Sequence, residues 1–277
     1  MIILDSITYK EIGAFIREHS GICLEKIQEK GVWERIERHI QSLELQTIKD
    51  YLFLLKSPCG APIRDGLMAQ VTVNESFFFR NPGQFRYLAL DFFKETLRVK
   101  DRFHIWSAGC STGEETYSLA HMAQWFHKRH PETKFFIIGS DINRQSLKKA
   151  HLGSYRKRSW RKPSEDLFKE FPLPFLCEHP KNLEIENQIR QMVHFKYLNL
   201  RDLESLKCQI GWDIIFCRNV FIYFADAFRT NLVETFHQLL NKGGMLFLGE
   251  TENILNAPGL FELVRCGSAF GYRKIEK

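Results

Sequence analysis

Beyond about residue 100 the chain alternates short apolar runs with helix-like segments, and no other feature limits its fold as strongly. The runs are FHIW (103–106), FFIIG (135–139), VHFKY (193–197), WDIIFC (212–217) and MLFLG (245–249). Each has the length of a strand. A continuous rather than alternating apolar pattern belongs to strands covered on both faces, which is the situation in a parallel sheet between two layers of helices. The expected fold class is α/β, a doubly wound sheet. The stretch FELVRCGSAFGYRK (261–274) reads as a hairpin that adds an antiparallel edge.

The first 70 residues have a different texture. Ile7, Ile12, Phe15 and Ile16, and then Val32, Trp33, Ile36 and Ile40, recur at helical spacing, and a third helix is expected near Ile48 to Leu55. Ser6 and Thr47 are candidate N-caps, Gly21 and Gly31 candidate breaks, and SPCGAP before Ile63 a candidate turn. This gives an all-α N-terminal domain over 1–70 and an α/β domain over 71–277. More than 50 residues separate Gly139 from Val193, too many for one crossover helix. Three prolines and the alternating NLEIENQIR in the second half of that span predict a small inserted β subdomain at about 171–192.

A chain of 277 residues, 44% apolar and 13% aromatic, has enough core-forming material for one large domain and a small one. No stretch approaches the roughly 18 apolar residues of a membrane span, and the start MIILDSITYK lacks the pattern of a secretory leader, so a cytoplasmic protein is expected. Seven scattered cysteines without a C-x-x-C pair suggest neither a disulfide framework nor a metal site. The net charge of +6 is local: from Arg144 to Phe171 nine basic residues face three acidic ones. Two readings of that run stay open, a solvated face and a patch for an acidic partner.

Four segments carry the chemistry. In W-S-A-G-C-S-T-G-E-E-T-Y-S-L-A (106–120) a buried strand ends, Gly109 and Gly113 permit a tight turn, and a helix opens with Glu114 and Glu115. The Lys of a phosphate-binding loop is missing and carboxylates occupy the helix start, which suits a cationic or hydroxyl-rich ligand better than a phosphate. An ordinary tight turn would look the same. In F-F-I-I-G-S-D-I-N, Asp141 follows the second strand, where an acidic residue either accepts ribose hydroxyls or caps the next helix. Y-L-N-L (197–200) and F-C-R-N-V-F-I-Y-F (216–224) place Asn199, Arg218, Asn219 and Tyr223 at two further strand ends. Polar groups gathered from four strands at one sheet edge point to a ligand crevice.

The segments 106–120 and 216–224, with N-E-S-F-F-F-R at 74–80, closely resemble the chemotaxis receptor methyltransferases of the CheR family. The resemblance spans nearly the whole chain, with Ser76 standing where the family commonly has Thr. It implies a Rossmann-like S-adenosylmethionine (SAM) fold with S-adenosylhomocysteine as product, and transfer of the methyl group to glutamate side chains on the cytoplasmic methylation helices of chemoreceptors. It implies that Asn74, Ser76 and Arg80 reach the cofactor from the domain junction, and that Glu115 and Asp141 bind its polar groups. Asn199, Leu200, Arg218 and Asn219 would flank its adenosine or methionine parts, with Ala108 and Gly109 supplying backbone. Arg80 and Tyr223 are the catalytic candidates, holding cofactor or acceptor; Tyr223 also fits a packed aromatic, and Phe77 to Phe79 fit a wedge between domains or a neighbour of adenine.

No metal, nucleic acid or membrane insertion is expected, and the protein is expected to be a monomer. Two alternatives remain: a nucleic-acid methyltransferase, against which F-C-R-N stands where base-methylating enzymes usually have Asn or Asp before Pro-Pro, and a SAM-sensing adaptor without turnover. Substrate capture is expected through a face of the second helix (Arg35, Arg38, His39) and through the basic insert. The stretch F-L-C-E-H-P-K-N-L-E-I-E lacks the loop glycines of relatives that bind a receptor-tail peptide, so no tether is expected.

Overall fold

The computed structural model describes residues 5–27, 31–161, 182–203, 211–254 and 259–276, together with the backbone of 176–178. Four helices come first: α1 (Ser6–Ser20), α2 (Val32–Ser42), α3 (Ile48–Lys56) and α4 (Ala61–Val71). Asp5, not Ser6, caps α1 by accepting the Thr8 N–H, while Thr47 and Asp50 form a reciprocal capping box on α3. Gly21 ends α1 and Gly31 precedes α2, both in the left-handed conformation. The sequence reading had no helix where α4 lies. Pro58–Gly60 makes a single 3₁₀ turn, and Pro62 then sits in the first turn of α4, where its missing N–H costs no helical bond.

After α5 (Pro82–Tyr87) and α6 (Phe93–Thr96), joined by the π-helical turn Leu88–Phe92, the sheet begins. Its strands are β1 (Arg102–Ala108), β2 (Lys134–Asp141), β6 (Val193–Tyr197), β7 (Trp212–Phe216) and β8 (Leu240–Phe247), all parallel, and the hairpin β9 (Phe261–Cys266) and β10 (Ala269–Lys274). The order is β6-β2-β1-β7-β8-β10-β9, with β10 antiparallel to β8. The direction in which the chain adds successive strands reverses between β1 and β7, and ligands of open α/β sheets sit outside the carboxyl ends of the strands at such a switch point.

Alternate residues of each strand feed two cores. Phe103, Ile105, Ile137, Ile214 and Phe216 face one cluster, with α7 (Glu114–His127) and the Phe78–Phe93 segment. Trp106, Ala108, Ile215 and Cys217 face the other, where the helix Asp226–Leu239 meets buried side chains of α1 to α4 such as Ile16, Ile36 and Leu67. The N-terminal helices thus share a continuous apolar cluster with the sheet. The second crossover carries α8 (Arg144–Leu152) and a separate antiparallel sheet of β3 (Ser154–Arg156), β5 (Asn182–Ile185) and β4 (Leu176–Glu178). That small sheet starts at Ser154, well before residue 171, because β3 pairs back onto β5. The loop containing His179 to Lys181, on which the tether expectation rested, lies outside the described residues. Among the described residues no helix is long and apolar enough to cross a membrane.

Candidate functional site

A cavity of about 270 Å³ opens over the carboxyl ends of β1, β2, β6 and β7. The turn after β1 forms its floor. Gly109 has φ +79°, and a Cβ there would lie 2.7 Å from Val220 Cγ2, so this position requires glycine both for conformation and for the close approach of the 218–224 segment. Ser111 follows at φ 50°. Its backbone N–H donates to Asp141 Oδ2 at 2.7 Å, and Asn143 N–H donates to Asp141 Oδ1 at 2.8 Å. Asp141 therefore ties the ends of β1 and β2 together while lining the cavity. It does not cap α8; Asn143 does, accepting from Gln145 and Ser146. Burial pushes the Asp141 carboxyl above its ordinary value, and the N–H groups of Asn143, Ser111 and Ile142 partly oppose this.

The two carboxylates opening α7 are both engaged. Both also favour the positive end of the helix. Glu114 turns away from the cavity and accepts from Thr112 Oγ1 at 2.6 Å and Ser159 Oγ at 3.1 Å. Glu115, in the wall, accepts from Ser107 Oγ at 2.7 Å and from Arg218 Nε at 2.6 Å. Arg218 is buried and uses its fork as a strut: it donates to the Arg80 carbonyl, to Gln84 Oε1 at 3.0 Å and to Asn81 Oδ1 at 3.3 Å. The rings of Phe85 and Phe216 lie 5.3 and 5.1 Å from its guanidinium carbon.

This strut sets Arg80 in place. Phe79 (φ 52°) and Asn81 (φ 59°) on either side of it are left-handed, as are Ser111 and Asn219 (φ 59°). Of the five non-glycine residues with positive φ among the described residues, Ser111 and Asn219 thus line the site and Phe79 and Asn81 flank its Arg80, each in a conformation that ordinary side chains avoid. The Arg80 guanidinium is half-buried beside that of Arg218, and burial followed by this neighbouring charge lowers its pKa. It reaches only the Glu75 carbonyl, at 3.4 Å, among the described residues. With Arg218 already paired to Glu115, the Arg80 guanidinium is the one in the wall that makes a place for a ligand carboxylate.

The segment after β7 is held by a residue that the sequence reading missed. Glu252 is 6% exposed, and its Oε2 accepts the N–H groups of Asn219 and Gly249, each at 2.7 Å, while Oε1 accepts that of Ile222 at 3.2 Å. Burial raises its pKa and those N–H groups oppose the rise. So held, Asn219 presents a buried Oδ1 that has no hydrogen-bond partner among the described residues. A buried acceptor left unpaired is costly.

The far wall comes from the N-terminal helices and the linker after α4. Ser20, Ile22 and Val71 to Val73 line the cavity. The Cys23 N–H donates to the Tyr223 carbonyl at 2.8 Å, Lys26 Nζ to the Phe224 carbonyl at 2.8 Å, and Asn199 Nδ2 to the His19 carbonyl. Asn74 Oδ1 accepts from Ser146 Oγ at 2.7 Å and Ser111 Oγ at 3.3 Å. Nothing in the apolar spacing of α1 marks Ile22 as a wall residue, because its role arises only from docking across the sheet.

Of the residues named from the sequence, Asn74, Ser76, Arg80, Gly109, Glu115, Asp141, Asn199, Leu200, Arg218, Asn219 and Tyr223 all line this cavity. Ala108 does not. As the last residue of β1 it pairs with Ser140 and buries its methyl group fully in the second core, one residue short of the turn. Phe78 and Phe79 are core residues, packed on Tyr155, Phe85 and Trp160 rather than on the cavity.

Residues 74–270 match the family model described as CheR methyltransferase, SAM binding domain. The chain belongs to this family. It is a SAM-dependent methyltransferase, with SAM as its cofactor. It is 31% identical over 266 residues to chemotaxis protein methyltransferase 2 of Vibrio cholerae, covering 95% of this chain and 91% of that one. It is 28% identical to chemotaxis protein methyltransferase 1 of Pseudomonas aeruginosa (94% of each chain) and 29% identical to the chemotaxis protein methyltransferase of Escherichia coli (92% of this chain, 87% of that one). The cavity suits SAM: a carboxylate at Asp141 and the Arg80 guanidinium, which has no carboxylate partner among the described residues, match a ligand with hydroxyl and carboxylate groups.

Proposed function

We propose that this methyltransferase esterifies glutamate side chains on the cytoplasmic methylation helices of chemoreceptors, releasing S-adenosylhomocysteine. One observation carries the choice of acceptor: the cavity wall offers no base. Among the described residues it contains no histidine or lysine. Its Glu115 is committed to Arg218 and Ser107, its Asp141 to two backbone N–H groups, and its Glu75 is ion-paired with Arg161 at 2.7 Å. The Cys110 thiol is pushed far up by burial. A hydroxyl or amine acceptor would have to lose a proton here, whereas a glutamate with an ordinary pKa of about 4.3 arrives already ionised.

Bound SAM supplies an electrophilic methyl group on a sulfonium. The chain's residues hold and align. Asp141 would accept the ribose hydroxyls, Asn219 would flank the cofactor from the wall, and Leu198, Leu200 and Ile142 would cover the base. Arg80, left without a carboxylate partner of its own, would hold either the cofactor carboxylate or the incoming glutamate, and Tyr223 would orient the acceptor. Ile22 and the linker after α4 exclude water, which strengthens each of these contacts. Alignment of this kind accounts for several kcal/mol of barrier without any proton transfer. The names of the relatives support a role in chemotaxis.

Incubation with methyl-tritiated SAM and receptor cytoplasmic fragments tests the proposal. Esterification is expected to give label that is released as volatile methanol in base. Base-stable label, or label on nucleic acid, would contradict it, and SAM binding without transfer would make the chain an adaptor.

A further inference from the structure

We infer that the basic segment from α8 through Arg161 is a docking rim for a carboxylate-rich polypeptide, set beside the cavity mouth. The inference rests on the reading of the acceptor as a protein carboxylate. Between Arg144 and Arg161 there are seven Arg and Lys residues and no Asp or Glu. Two of the seven are spoken for. Arg144 pairs with Asp65 at 3.0 Å, and Arg161 pairs with Glu75 at 2.7 Å. Lys148, Lys149, Arg156, Lys157 and Arg158 are exposed and form no ion pair among the described residues. The carboxylate nearest in register, Glu184 of β5, stands opposite Ser154.

A solvated face would not need to be fixed to the site, and this one is. Tyr155 donates to the Thr112 carbonyl at 2.7 Å, Ser159 Oγ to Glu114 at 3.1 Å, and the Phe78 N–H to the Ser159 carbonyl at 3.0 Å. The Phe77 ring carries the guanidinium of Arg161 at 4.4 Å and that of Arg80 at 5.5 Å, so the rim runs into the wall residue with the least committed charge. The helix α2 is a weaker candidate. Arg35 Nε is drawn to the Gln70 carbonyl at 2.9 Å, and His39 packs on Tyr51 with its pKa lowered by burial, which leaves Arg38 as the exposed member of that face. A polypeptide is favoured over a nucleic acid because the aromatic residue in the rim, Trp160, is turned against Phe78 and Phe79 instead of standing free to stack on bases.

Capture by such a rim is salt-sensitive and acts on encounter rather than on chemistry. The test compares the full chain with the double variant Lys157→Glu/Arg158→Glu and with a control of equal charge change at exposed cations elsewhere, Lys94→Glu/Lys128→Glu. Fluorescent poly-L-glutamate is titrated at low and physiological salt, with single-stranded DNA and phosphatidylserine vesicles as further probes, and SAM affinity is measured by calorimetry. The expected result is salt-sensitive peptide binding that the rim variant weakens several-fold and the control does not, with SAM affinity unchanged in both. Equal weakening by rim and control variants, or a loss seen only with DNA or vesicles, would overturn the inference. Peptide binding needs no turnover, so a parent chain that binds the peptide at the rim but never methylates a receptor counts against the proposed acceptor and not against the rim. A rim variant that methylates receptors with an unchanged KM counts against the rim alone.

Discussion

Replacing Glu252 by Gln changes one atom in a residue that lines no part of the cavity, yet it should weaken both the fold and the cofactor site. Three backbone N–H groups converge on the two carboxylate oxygens, from Asn219 and Gly249 at 2.7 Å and from Ile222 at 3.2 Å. Gln offers one oxygen. If that oxygen keeps the two short bonds, the amide nitrogen faces the Ile222 N–H, and a buried donor without a partner costs about 1–3 kcal/mol. The retained bonds also lose their charge assistance, while removal of the burial penalty on the carboxylate offsets part of this. A net loss of about 1–3 kcal/mol is expected, read from the urea midpoint at unchanged slope. Because the same bonds hold Asn219 left-handed in the cavity wall, SAM affinity measured by calorimetry should fall in the folded variant. A variant with the parent's midpoint and the parent's affinity would refute the reasoning.

Four further outcomes are expected. Asp141→Ala should lose about 1–3 kcal/mol of SAM binding by calorimetry, the worth of a charged hydrogen bond. Since burial raises the Asp141 carboxyl and the ionised form is the stronger acceptor for hydroxyls, parent affinity should fall as pH drops through that raised value, above the ordinary 3.8, and Asp141→Asn should remove this slope. Gly109→Ala forces φ +79° on a residue with a Cβ and places it 2.7 Å from Val220, so a loss of about 1–3 kcal/mol is expected in urea denaturation; full stability would show that the turn relaxes freely. Arg80→Ala and Tyr223→Phe should lower kcat for receptor methylation more than they raise the receptor KM, and either one retaining full turnover at saturating SAM would be reassigned to packing.

What could be read from the sequence was whatever is encoded locally. The five parallel strands announced themselves as short apolar segments and the final hairpin by its turn; β7, buried throughout, has no other composition available, whereas β6 at the sheet edge alternates and keeps His194 and Lys196 exposed. The ends of those strands gave Asp141, Asn199, Arg218 and Asn219, because the topology of a doubly wound sheet collects them at one edge. Helix α4 was hidden behind SPCGAP, where a proline in a first turn looks the same as a proline in a loop. Ile22 and Ser20 were invisible because the bridge from Ile22 to Phe224 joins residues about two hundred positions apart. Glu252 had a faint signal, a carboxylate soon after the strand MLFLG. Its three N–H partners come from two loops, and no spacing within either loop reveals them.

The central claim is that the cavity at the strand ends delivers a methyl group to a glutamate carboxylate. Peptide mapping by mass spectrometry of a receptor cytoplasmic fragment, after incubation with this protein and SAM, tests it most directly. The account requires the mass of one methyl group on glutamate side chains, absent after mild base and absent with Asp141→Ala at limiting SAM. Methylation on lysine, arginine or a hydroxyl side chain, or a modification that survives base, would contradict it.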